Sequence, residues 1–197
     1  DTLVPRQSQK APGSAIRHGH AKKCNRPQFL QAQCWVTLGI SVFGCADRKY
    51  VLPIVSRLVP AKGNRNKLII ALALVRNLAP TIASKSVRLL FDYWFMRARL
   101  ILPLLSRKMQ VIGQARYDTA LFMPPEVLSK PRRGRPKIYG IKITPEAIQR
   151  LPATEVRLTL YGKEQLIRLR TVVAIARFLK GVPVRAVWCE FYDADKL

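Results

Sequence analysis

Asp92 is the residue whose setting most demands a chemical reason. It interrupts an apolar run, Val87-Arg88-Leu89-Leu90-Phe91-Asp92-Tyr93-Trp94-Phe95, in a chain with 35 Lys and Arg but only 11 Asp and Glu. An ionised carboxylate in a strand-like hydrophobic segment costs folding free energy unless something cationic pairs with it. A divalent metal ion is one such partner. Phosphodiester chemistry with two Mg²⁺ ions needs hard oxygen ligands that hold the metals about 3.5–4 Å apart. Carboxylates on adjacent strands, about 4.8 Å from each other, suit that demand. Asp1 and Asp92 are the two candidates, as metal ligands and as catalytic groups. The competing reading makes Asp92 a strand-end acid paired with a neighbouring arginine, Arg88 or Arg97.

The charge balance points to the partner. At a net +24 and a sequence pI near 10.9, a folded domain repels itself, and a polyanion is the usual compensation. With 49% hydrophobic residues the chain has enough apolar matter for a core and is no disordered basic tail. An anionic membrane surface is the rival partner, but the expected helices are mostly apolar and read as core. No apolar stretch approaches the roughly 18–20 residues of a spanning helix. The opening residues, DTLVPRQSQK, lack the apolar centre of a secretory signal. Cys24, Cys34, Cys45 and Cys189 form no CxxC pair, which argues against a zinc ribbon or a disulfide framework and for thiols in a reducing cytoplasm. His18, His20 and Cys24 share a polar loop, but its Lys and Arg repel cations.

Periodicity then supplies the elements that must position the acids. Asp1 to Pro5 reads as the tail of a strand, and Arg6 to Pro27 as a basic loop. Phe29 to Phe43 and Tyr50 to Leu58 read as antiparallel strands. Asn64 to Leu78 reads as a helix, Val87 to Trp94 as a buried strand, Arg97 to Lys108 as a helix holding Pro103, and Val111 to Tyr117 as a strand. Three antiparallel strands followed by βαβ crossovers imply a mixed α/β domain with the Asp1 and Asp92 strands side by side. Beyond it come a proline-rich basic linker and a β-rich segment, with a hairpin over Glu155 to Leu169 and strands at Val172 to Leu179 and Val182 to Tyr192.

Several short segments, in order, resemble the DDE-type transposases of bacterial insertion sequences. Asp1-Thr2-Leu3-Val4-Pro5-Arg6 is similar to their first-acid motif, and Leu90-Phe91-Asp92-Tyr93-Trp94-Phe95-Met96-Arg97 to their second. Asn25-Arg26-Pro27, Gln33-Cys34-Trp35-Val36, Val111-Ile112-Gly113-Gln114, Asp118-Thr119-Ala120 and Arg132-Arg133-Gly134-Arg135-Pro136 extend the likeness. So do Arg177-Phe178-Leu179 and Pro183-Val184-Arg185-Ala186-Val187-Trp188. The resemblance implies an α/β, ribonuclease-H-like mixed sheet with helices over residues 1–122, a linker over 123–143 and a β-rich insertion over 144–197. It also implies Mg²⁺ or Mn²⁺ held by Asp1 and Asp92, double-stranded DNA (transposon ends and target) as partner, a homodimer on paired ends, and a bacterial, nucleoid-associated location. The third acid of such enzymes, a Glu in a Tyr/Arg/Glu/Lys signature, is not found. The chain therefore reads as a fragment cut at both ends, inactive alone. Glu190 lies in a strand-like segment and reads as an ordinary strand acid; Asp118 reads as structural or DNA-proximal.

Arg132, Arg133, Arg135 and Lys137 surround Gly134 in a Pro-Arg-Arg-Gly-Arg-Pro-Lys run. An extended Arg-Gly-Arg-Pro core suits a narrow A·T-rich minor groove, where Arg meets enhanced negative potential and Gly lets the backbone approach. These four are the expected DNA contacts; a solvated basic linker is the plainer alternative. The function from a different class is a non-catalytic basic DNA-binding protein with a structural Asp92.

Overall fold

The computed structural model describes residues 2–19, 27–44, 49–61, 65–82, 87–126, 134, 136–160 and 162–192. The chain forms two compact units, Asp1–Gln114 and Ala115–Leu197.

The first unit is organised by one long strand. Its elements are β1 (Thr2–Pro5), β2 (Ala15–His18), β3 (Phe29–Phe43), β4 (Lys49–Val59), α1 (Arg65–Ile82), β5 (Arg88–Phe91), α2 (Ala98–Leu105) and β6 (Gln110–Gly113). Every partner of β3 is antiparallel. Cys34 faces Leu3 of β1 and Val59 of β4, while Ala32 faces Pro5 of β1 and Ala15 of β2. A strand has only two edges, so β2 and β4 lie end to end along one edge of β3 and β1 takes the other. Arg17 spans that seam: its Nη2 donates to the Pro60 carbonyl at 2.9 Å. A bulge at Leu38/Gly39 and Pro53 interrupt the β3–β4 ladder halfway.

The even-numbered residues of β3 show where the core ends. Ala32, Cys34 and Val36 are buried together with Val59, Ile70, Leu74 and Val75. Farther along the same face Ile40, Tyr50 and Leu52 are about half exposed. The apolar stripe thus outlasts its cover. The other crossover is local: β5, α2 and β6 form a parallel β–α–β unit with Leu89 opposite Val111 and Phe91 opposite Gly113. Leu100, Ile101 and Leu104 bury one face of α2. Pro103 lies inside that helix without ending it, because a proline late in a short helix removes few intrahelical bonds.

The second unit repeats the plan. Its elements are β7 (Leu121–Phe122), α3 (Pro145–Gln149), β8 (Ala153–Leu160), β9 (Lys163–Ala176) and β10 (Pro183–Phe191). β9 pairs antiparallel with β10 along one edge and with β8 and then β7 along the other. Residues after the prolines fold back onto β7: Met123 N–H donates to the Ile141 carbonyl and Ile143 N–H to that of Leu121. Gly140 permits this return, since a Cβ there would stand 2.7 Å from the Met123 and Pro124 carbonyl oxygens. Thr144 caps α3 by accepting from Ala147 N–H.

The ribonuclease-H-like mixed α/β sheet is not what forms. Strand accounts for 47% of the described residues and helix for 19%, and the two larger sheets are antiparallel. The strand leading to Asp92 pairs with β6 and makes no ladder with β1 among the described residues. The physical reason lies in the long β-branched runs. They zip with their sequence neighbours into hairpins, which need little loop closure, whereas parallel pairing needs a crossover each time. The hairpin expected over Glu155 to Leu169 forms from β8 and the start of β9, whereas the strand expected separately from Val172 to Leu179 is the continuation of β9 to Ala176, followed by a single 3₁₀ turn at Arg177–Leu179. β2 arises in a stretch read as loop, where only four residues pair.

Core and periphery separate cleanly by substitution. Leu104→Ala, at a fully buried site, is expected to cost about 2–5 kcal/mol in denaturant unfolding. Leu90→Ala, with that side chain 66% exposed, is expected to stay within about 0.5 kcal/mol of the parent.

Candidate functional site

The segment around Asp92 is a turn, not the middle of a buried strand. β5 ends at Phe91, and Asp92 is exposed. Its Oδ1 accepts from Trp94 N–H at 3.0 Å and from Phe95 N–H at 3.1 Å. That is an Asx turn, in which a short carboxylate substitutes for a backbone acceptor. Phe91 O accepts from Gln114 N–H, and Arg97 N–H donates back to Phe95 O, so the turn leads directly from β5 into α2.

Three side chains fix this turn to the unit. Phe95 is buried and meets Phe91 and, edge to face, Trp94. Met96 lies over Gly113, where a Cβ would meet its Sδ and Cγ. The Nζ of Lys67, in the first turn of α1, sits 4.7 Å from the centroid of the Trp94 indole. Lys67 is 7% exposed, and sequence reasoning passed over it. The signal was a single lysine on the buried face of an apolar helix, next to a motif rich in aromatics.

Neither arginine proposed as a partner takes Asp92. Arg88 Nε donates to Gln110 Oε1, and no ion pair joins Asp92 to Arg97 among the described residues. Backbone N–H groups satisfy one carboxylate oxygen, and Oδ2 makes no hydrogen bond among the described residues. Asp92 therefore stands at the carboxyl end of a parallel strand pair, the position where open parallel sheets bind ligands. Mg²⁺ commonly takes only one or two carboxylates and completes its shell with waters and substrate phosphates. A held, exposed carboxylate with one uncommitted oxygen fits that donor chemistry.

The other expected site residues are not gathered here. Asp1, Arg132, Arg133 and Arg135 lie outside the described residues, as do His20, Cys24 and Cys45. Lys137 is exposed in the second unit, and Gly134 has a φ of 106°. Asp118 pairs with Arg116 at 3.1 Å. Glu190 on β10 accepts from Arg170 Nε at 3.0 Å and lies 4.0 Å from Arg168. Arg168 also donates to Glu155, and that hydrogen bond raises the Arg168 pKa above its ordinary value. The Arg170 Nη1 caps the Gln149 and Leu151 carbonyls, so Glu190 belongs to a cross-strand ionic cluster. His18 is stacked edge-on against Phe29. Among the described residues no three His, Cys, Asp or Glu side chains converge, and no helix is long and apolar enough to cross a membrane.

Compared by sequence with protein families and with curated proteins, the chain matches no family model and no curated protein.

The turn's dependence on Asp92 separates charge from geometry. Asp92→Ala removes the acceptor of two N–H groups and is expected to cost about 1 kcal/mol in denaturant unfolding. Asp92→Asn keeps a carbonyl oxygen in the same place and is expected to retain most of that stability.

Proposed function

We propose that this chain is part of a DDE-type DNA transposase of a bacterial insertion sequence. It binds double-stranded DNA through its basic surface and contributes carboxylates, Asp92 and Asp1, to a divalent-ion site. The observation that carries the reading is the presentation of Asp92: exposed, oriented by two backbone N–H groups and with an oxygen to spare. Support comes also from the order of the resembling segments along the sequence, and from the +24 charge.

In this reading Asp92 and Asp1 would hold Mg²⁺ or Mn²⁺. A divalent ion, when bound, activates the attacking water or 3′-hydroxyl and stabilises the leaving oxygen. The chain's own task is to keep the Asp92 carboxylate aimed outward and to hold the phosphate backbone by charge. Arg132, Arg133, Arg135 and Lys137 contact the minor groove or adjoining phosphates. The protein works in the bacterial cytoplasm at the nucleoid, as a homodimer bridging paired transposon ends.

A second reading, a DNA-binding protein without catalysis, is favoured by one observation: the Asx turn gives Asp92 a structural task of its own. Fluorescence anisotropy with a labelled duplex tests what both share. Affinity is expected to fall by about a thousandfold or more between roughly 50 and 200 mM salt; a salt-independent affinity would sink both. Mn²⁺ binding to the DNA complex then divides them. Asp92→Asn is expected to lower it while duplex affinity is kept, and an unchanged Mn²⁺ isotherm would leave only the non-catalytic reading.

A further inference from the structure

We propose that Lys67 is a positioning residue for Asp92, acting through the indole of Trp94. This rests on the reading of Asp92 as a functional carboxylate, and it adds the device that keeps that carboxylate aimed.

Lys67 occupies a place that ordinary stability would not choose. It lies in the first turn of α1, where the sequence Arg65-Asn66-Lys67-Leu68 holds no acid. A cation there opposes the helix dipole. Burial to 7% exposure adds a desolvation cost, and a methionine would fill similar space without it. A lysine that meets both penalties gains something from its surroundings. One gain is visible in the 4.7 Å approach of Nζ to the Trp94 ring, well within the range of a cation–π contact, which is strongest with indole and in a desolvated setting. The ring is not the sole partner of Lys67, but it is the one that leads to Asp92.

From the indole the hold passes through the backbone. Trp94 N–H and its neighbour Phe95 N–H are the two donors to Asp92 Oδ1. Phe95, packed edge to face against the indole at 5.1 Å, is itself buried. Ammonium, indole, backbone and carboxylate form one continuous chain of contacts. An exposed aspartate on an untethered turn samples several rotamers. One whose donors are clamped keeps a single orientation, and a ligand or catalytic group benefits from that before any partner arrives.

Amide hydrogen exchange, followed by NMR on the full chain, tests the clamp without metal or DNA. In Lys67→Met the Trp94 and Phe95 amides are expected to exchange about thirtyfold faster, the size of a desolvated cation–π contact. The Ile101 and Leu104 amides of α2 keep their rates, and Lys67→Arg, which retains a cation for the ring, restores the protection. Unchanged exchange at Trp94 and Phe95, or an equal rise at all four amides in both variants, overturns the proposal. If Lys67→Met does not fold, Trp94→Phe offers a weaker π face and is read by the same comparison. A Mn²⁺ titration of 5-fluorotryptophan-labelled protein keeps the two ideas separable. Broadening of the Trp94 resonance is expected to need severalfold more Mn²⁺ in Lys67→Met and to vanish in Asp92→Asn. Broadening that persists in Asp92→Asn refutes the metal role of Asp92, while the exchange rates still decide the role of Lys67.

Discussion

Positive charge in excess of its acidic partners is the constraint on which this structure depends. With 35 Lys and Arg against 11 Asp and Glu, most cations must settle without a carboxylate. Several of those drawn into the fold also use neutral acceptors. Arg17 closes a seam between two strands by donating to the Val59 and Pro60 carbonyls. Arg170 does the same for the carbonyls of Gln149 and Leu151, where the chain enters β8. Lys67 and Arg168 lie over aromatic faces. Carbonyl oxygens and π faces supply partial negative charge where full charges are scarce. Among the described residues the other Lys and Arg side chains keep contact with solvent, where their repulsion is screened by salt.

The same scarcity shapes what the acids do. Glu155 and Glu190 flank Arg168 across the three adjoining strands β8, β9 and β10. Asp118 is spent on Arg116. Asp92 differs, because its hydrogen bonds go to backbone N–H groups and leave one oxygen without a partner among the described residues. An acid that pairs with no arginine among the described residues is held by geometry rather than by charge.

Strand identity was legible wherever β-branched and aromatic residues run long. Phe29–Phe43 emerges with the boundaries its composition suggests, and the β3–β4 and β8–β9 hairpins follow from turn chemistry. The helix at Arg65–Ile82 was equally plain, although it runs through Pro80. Sheet order was not legible, because periodicity specifies a face and not a neighbour. β9 pairs with three strands, and its extent depends on that pairing rather than on its own residues. At the site, Asp92 stood out in the sequence for a reason that proves incomplete. Its apolar neighbours suggest burial, yet the strand stops one residue earlier and Phe95 turns inward without it. Lys67 escaped notice because its meaning lies in a contact with a residue 27 positions away.

The halfway interruption of the β3–β4 hairpin has a bearing on how the sheet avoids pairing with another copy of itself. Beyond the core the hairpin carries bare apolar side chains, and among the described residues no strand covers the far edge of β4. Such an edge is an invitation to runaway strand addition between copies. A proline at position 53 and the adjoining bulge make β4 irregular at its middle, and both are devices by which an edge strand resists such addition. A sheet can thus be left open at this edge without polymerising through it.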